Sequence, residues 1–167
     1  MKKFLFLLST VYCLLLPACG FEPVYGIHKG TPVGVEETLG NISIGNIPDR
    51  EGQMLRNALI DRFYRTGRPE YPRYDLEVGH LNEQVSDLDV TKTADATRGR
   101  LRMSTTITLR DSATNEVLLK RSLQTITSYN ILASEFATRV TEEDARGNAI
   151  NDLARQIELQ LTLYFRR

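Results

Sequence analysis

Residues 99–110 read Gly-Arg-Leu-Arg-Met-Ser-Thr-Thr-Ile-Thr-Leu-Arg. On a β-strand, successive side chains point to opposite faces. Leu101, Met103, Ile107 and Leu109, with Thr105 between them, therefore share one face. Arg100, Arg102, Ser104, Thr106, Thr108 and Arg110 share the other. A helical period would scatter both sets. A chain with this segment is committed to a sheet with one dry face, and that face needs an apolar cover. Residues 117–127 return as a partner strand after a turn of about six residues, which makes a hairpin.

The cover is legible in two helical stretches. From residue 50 to 66, Leu55, Leu59 and Phe63 recur every four residues, and Met54 and Ala58 widen the stripe. Arg56, Asp61, Arg62 and Arg65 take the wetter side. Asp49 is the expected N-cap, with Gly67 and Pro69 as the stop. A second helix carries Ala149, Leu153, Ile157 and Leu161 on one stripe. Thr141-Glu142-Glu143-Asp144 resembles a capping box at its start, with Ser134 able to cap a lead-in. Its end, with Leu159, Leu163, Tyr164 and Phe165, is apolar nearly all round, for a partner or for a corner of the core.

Two more strands complete the order. Residues 41–47 alternate through Ile42 and Ile44. Tyr74, Leu76 and Val78 alternate with Asp75 and Glu77, and the phase then flips to Leu81 and Val85, as a bulge at Gly79 would produce. Residues 88–97 are polar and read as a loop. The expected fold is α+β: a two-layer sandwich, two helices on one face of a four-stranded mixed or antiparallel sheet, in the order β-α-β-β-β-α, over residues 41–167.

The N-terminus has the grammar of a secretory signal. Lys2 and Lys3 precede an apolar run of about 13 residues, short of the roughly 20 needed to span hydrocarbon. Leu16-Pro17-Ala18-Cys19 then sets a small residue before a cysteine. The expectation is a signal peptide over 1–18 and acylation of Cys19, with S-diacylglycerol and N-acyl chains as the only attached groups. Residues 19–40 hold Gly20, Gly26, Gly30, Gly34, Gly40, Pro23 and Pro32, which reads as a tether. The other cysteine, Cys13, lies inside the signal. A disulfide within the processed chain is thus not expected, and the fold must stand on its core.

Lys plus Arg and Asp plus Glu each total 21. Removal of Lys2 and Lys3 leaves a net charge near −2, which argues against a nucleic-acid binder. His28 and His80 read as surface residues. The chain has no nucleophile elbow and no His or Cys spacing suited to a metal. Asn41-Ile42-Ser43 matches a glycosylation triplet that a bacterial lipoprotein would not use. No enzyme is expected. The suggestive cluster is Arg98, Arg100 and Arg102 on one sheet face, with Arg110 farther along and Lys120 and Arg121 on the facing strand. Guanidinium groups so arranged suit phosphates or carboxylates. They also suit a solvated face that resists edge aggregation, and the residues alone leave both readings open.

Residues 16–26, Leu-Pro-Ala-Cys-Gly-Phe-Glu-Pro-Val-Tyr-Gly, resemble the start of the LptE family of lipopolysaccharide-assembly lipoproteins. Ile47-Pro48-Asp49-Arg50-Glu51-Gly52-Gln53-Met54-Leu55-Arg56-Asn57 and Phe136-Ala137 through Glu142-Glu143-Asp144-Ala145-Arg146 extend the likeness over nearly the whole processed chain. The resemblance implies an outer-membrane lipoprotein seated in the LptD β-barrel, assisting its assembly and the delivery of lipopolysaccharide to the outer leaflet. It implies basic residues contacting lipopolysaccharide phosphates. By chemistry Arg98, Arg100, Arg102, Lys120 and Arg121 are the candidates. An alternative is an auxiliary solute- or lipid-binding lipoprotein of an envelope ABC transporter.

Overall fold

A computed structural model describes residues 34–65, 67–90 and 96–166. The signal, Cys19, His28 and most of the tether lie outside the described residues. Element order is α1 (Val35–Gly40), β1 (Ile42–Ile44), α2 (Asp49–Phe63), β2 (Tyr74–Val78), β3 (Asn82–Val90), β4 (Ala96–Asp111), β5 (Val117–Asn130) and α3 (Glu135–Phe165). The architecture is α+β, with helices packed on a mixed sheet.

β4 carries the sheet. β5 pairs antiparallel along one of its edges. β2 and β3 pair antiparallel, end to end, along the other. β1 lies parallel to β2 on the outside. Five strands therefore form four files, and the extra strand is the interrupted second file. Between Val78↔Ile107 and Asn82↔Ser104, the outer chain advances four residues while β4 advances three. That surplus residue is the phase flip around Gly79. The chain stays bonded there: Gly79 N–H donates to the Thr106 carbonyl at 2.9 Å, and Thr105 Oγ1 donates to the Gly79 carbonyl at 2.9 Å. Thr105, polar in an otherwise apolar row, is buried because it satisfies the kink.

The alternation of residues 99–110 holds throughout. Leu101, Met103, Ile107 and Leu109 are fully buried, together with Leu55 and Leu59 of α2 and Ala149, Leu153, Ile157 and Leu161 of α3. Each large side chain removed from water contributes about 1.5–3 kcal/mol. Tyr164 and Phe165 close a corner of this core, with the Phe165 ring 5.0 Å from Tyr74. Leu159 and Leu163 remain exposed, so the apolar helix end divides between core and surface.

Several boundaries differ from the sequence expectation. Residues 35–40 of the expected tether are helical, and Leu39 is buried. Residues 88–90 and 96–97 belong to strands rather than to a loop, because the β3–β4 ladder extends to them, with Asp89 opposite Arg98 and Val90 opposite Ala96. α2 ends at Phe63: the Tyr64 hydroxyl donates to the Ile42 carbonyl at 2.9 Å and draws the chain to β1. Asp49 is not the cap of α2. Pro48 holds that position, and Asp49, at φ 66°, directs its carboxylate to His80 Nδ1 at 2.9 Å. α3 starts at Ser134, whose hydroxyl accepts from Ala137 N–H, so Thr141 caps nothing. Thr141 Oγ1 instead donates to the Asn130 carbonyl at 2.9 Å and ties the helix to the end of β5.

Two glycines are fixed by close approach. A Cβ on Gly52 would meet the backbone of Ile47 at 3.0 Å. A Cβ on Gly99 would meet the buried ring of its register partner Tyr129 at 2.7 Å. The ring covers the strand where a side chain is missing. Gly99→Ala is expected to destabilise the domain by about 1–3 kcal/mol through overpacking, read as a fall in the thermal midpoint, while Ser128→Ala on the open face leaves it near the parent value.

Candidate functional site

Antiparallel register decides which residues share the face of the sheet that no described helix covers. Arg102 is opposite Gln84 and Ile126, Arg100 opposite Ser86 and Ser128, and Arg98 opposite Asp89 and Asn130. Arg98, Arg100 and Arg102 span about 13 Å at the strand rise. Arg98 donates to Ser128 Oγ at 3.2 Å. Arg100 and Arg102 have no ion-pair partner among the described residues. The row therefore offers guanidinium donors to an outside anion without first breaking an internal pair.

The other predicted cations do not join this row. Lys120 is opposite Thr108, on the same face but about 20 Å along the sheet from Arg102. Arg110 stands near it, facing Glu77 at 3.8 Å. Asp75 and Glu77 make that end acidic, so the face is polarised: cationic at one end, mixed at the other. Arg121 is opposite Ile107, which puts it on the helix side of the sheet. Consecutive strand residues cannot share a face, so Lys120 and Arg121 cannot both serve one patch. Arg121 bonds the carbonyl of Lys120 at 3.1 Å.

Behind the cationic row lies a carboxylate cluster not expected from sequence. Arg146 pairs with Glu83 of β3 through two nitrogens, at 2.8 and 2.9 Å, with Glu142 at 2.8 Å and with Glu143 at 2.5 Å. Arg50 reaches Glu143 at 2.9 Å. Hydrogen bonding to Glu83 is the largest influence on Arg146 and holds its pKa far above the ordinary value. The acidic run 142–144 thus lies inside a long helix, not at its N-terminus, and two of its carboxylates hold a cation. Segments 47–57 and 136–146, separate in sequence, meet at the Arg50–Glu143 pair. The only sequence signal was an Arg four residues after a Glu. A second clamp joins the helices, with Arg62 on buried Glu158 at 2.8 Å. On the sheet side, Asp152 accepts from Thr125 Oγ1 at 2.7 Å, which is the first cause of its lowered pKa, and from Arg155.

No cluster of three His, Cys, Asp or Glu suited to a metal occurs among the described residues, and no described helix is long and apolar enough to cross a membrane. Open clefts lie among the described residues. One of about 270 Å³ lies by Asp49, His80 and Glu83, and one of about 580 Å³ runs over Ser104, Thr106, Ser122 and Gln124. His80 lines both clefts, where its partner is the Asp49 carboxylate, and in the larger one the Thr106 and Ser122 hydroxyls bond each other.

A family model described as LptE, lipopolysaccharide-assembly, matches residues 39–161. The chain belongs to the LptE family. Its fold recurs in a candidate lipoprotein of Caulobacter crescentus, with 24% identity, TM-score 0.62, and 78% of this chain and 94% of that one covered. Rare lipoprotein B of Shewanella oneidensis shares it at 12% identity, TM-score 0.55, with 71% and 89% covered. A minor lipoprotein of Acinetobacter baumannii shares it at 21% identity, TM-score 0.54, with 73% and 88% covered. Among curated protein sequences, no relative matches. As an LptE-family chain, the protein is a lipopolysaccharide-assembly lipoprotein of the cell envelope.

Two tests follow from the clusters. Arg146→Ala leaves Glu83, Glu142 and Glu143 facing one another, and a loss of about 2 kcal/mol is expected from its charged hydrogen bonds, measured by chemical denaturation. Asp152 is lowered in the folded state, so its contribution is present above the ordinary value of 3.8 and fades as pH falls through the folded pKa. Thr125→Val is expected to raise the Asp152 pKa, seen in an NMR titration, and to flatten the loss of stability in acid.

Proposed function

We propose that this chain is a lipid-anchored, non-enzymatic component of lipopolysaccharide delivery at the outer membrane, working in complex with an LptD-like β-barrel. Family membership supports lipopolysaccharide assembly in general. The observation that carries the finer reading is the row Arg98, Arg100 and Arg102, set on a strand paired along both edges, with no described helix over it and two guanidinium groups without an ion-pair partner among the described residues. Lipid A and inner-core phosphates are the anions of matching chemistry. The row holds phosphate while the acyl chains move past. The sandwich offers the barrel a stiff body, and Cys19, carrying N-acyl and S-diacylglycerol chains, keeps that body at the membrane. More than one buried acyl chain gives stable anchoring, at about 0.8 kcal/mol per methylene.

The reading is tested by affinity purification of the acylated protein from its own envelope, where a large β-barrel should co-purify. A protein that never associates with one sinks the proposal. Arg100→Glu with Arg102→Glu should weaken lipopolysaccharide binding about tenfold or more, since each charge-assisted bond contributes about 1.5–3 kcal/mol, with the thermal midpoint unchanged. Cys19→Ala should yield a folded domain that fails to fractionate with the outer membrane.

A further inference from the structure

Beyond Arg102 the same face of the sheet changes character. Register sets Asn82, Ser104 and Gln124 in one row across β3, β4 and β5, and Thr106 and Ser122 in the next. Gln84 is opposite Arg102 itself. No charged strand residue belongs to these two rows. Charge returns at Thr108, which lies between Glu77 and Lys120. At the strand rise, about 20 Å separates Arg102 from Thr108. The neutral rows line the open cleft of about 580 Å³, a volume within the roughly 300–1,000 Å³ of small-ligand sites.

The polar groups of this stretch are largely uncommitted. Thr106 and Ser122 share a hydrogen bond at 3.1 Å. The side chains of Asn82, Gln84, Ser104 and Gln124 have no hydrogen-bond partner among the described residues. Gln124 uses only its backbone carbonyl, which accepts from Gln156 Nε2 at 3.2 Å. Strand propensity accounts for Thr106 but disfavours Asn82. Both ends of this face carry charge, so solvation alone does not account for a neutral stretch of amides and hydroxyls between them.

Hydroxyls and amides can each donate and accept. A bare anion needs donors alone, and the arginines already serve it. An alkyl chain laid here would strip water from groups that it cannot bond. A nucleic-acid strand would call for an aromatic side chain under its bases, and no described strand residue on this face is aromatic. A polyhydroxyl ligand matches the rows, and the adjoining guanidinium groups select one that also carries phosphate.

We propose that Asn82, Gln84, Ser104, Thr106, Ser122 and Gln124 form a saccharide subsite for the core oligosaccharide of the lipopolysaccharide whose phosphates the arginine row holds. This rests on the phosphate-holding reading of that row. Lipid A carries its own sugars between its phosphates, so the sugars that reach past the row are those of the core.

The test measures binding of the full-length acylated protein, in detergent, to lipopolysaccharide with a complete phosphorylated core and to bisphosphorylated lipid A. A variant with Gln84→Ala, Ser104→Ala and Gln124→Ala removes side chains that bond nothing among the described residues, so its thermal midpoint should stay at the parent value. Its affinity for the complete lipopolysaccharide should fall about tenfold, the combined effect of several neutral hydrogen bonds, while its affinity for lipid A stays unchanged. Arg100→Glu with Arg102→Glu should weaken both ligands. Equal loss on both ligands in the triple variant, or loss on neither, overturns the saccharide subsite, and the charge reversal then reports on the phosphate reading by itself. Charge reversal without effect on either ligand overturns the phosphate reading, and with it the claim that one molecule spans both subsites. Acyl-free core oligosaccharide should displace the complete lipopolysaccharide. Equal displacement by glucose 6-phosphate identifies a small sugar phosphate as the occupant and overturns the core assignment.

Discussion

Everything in this domain hangs on one long strand paired along both edges. β4 is the partner of β2, β3 and β5, and only β1 is attached at one remove. Its inward row, Leu101, Met103, Thr105, Ile107 and Leu109, is the floor on which the helices rest. Its outward row carries the arginines. The same backbone thus fixes core and candidate binding face. The spacing of the guanidinium groups is inherited from the strand rise rather than from flexible loops.

Among the described residues, the helices complete the dry side and none covers the other. α3 covers the inner face through one stripe, and its polar contacts all hold it in register: Arg146 to β3, Asp152 to β5 through Thr125, Glu158 to α2 through Arg62. These contacts are shared, half-buried or charge-assisted, which lifts them above ordinary surface pairs. With α2 and α3 on one face, no described helix covers the arginine row.

Much of this was legible in residue order. Alternation across 99–110 gave the inward row one residue at a time, the four-residue stripe gave Ala149, Leu153, Ile157 and Leu161, and the phase flip located the kink at Gly79. The misreadings share a cause. Residues 88–90 and 96–97 look like loop because they show no alternation, whereas the β3–β4 backbone ladder runs on through them. Thr141-Glu142-Glu143-Asp144 looks like a cap because the motif is local, whereas Thr141 is claimed by Asn130 and the glutamates by Arg146. Asp49 was assigned a capping role that its bond to His80 replaces.

The sequence by itself determined the two periodicities, hence an α+β sandwich with one dry face, and the parity of the arginines, because side-chain direction follows from backbone period alone. Likeness along the chain pointed to the LptE family on the same terms. Only the tertiary structure decided register: that Lys120 rather than Arg121 shares the arginines' face, that Lys120 lies far from Arg102, that Arg50 and Glu143 meet, and that Phe136 stands exposed. Those outcomes depend on which distant residues lie opposite one another, and pairing across a sheet is set by the packing of the whole domain rather than by any local stretch.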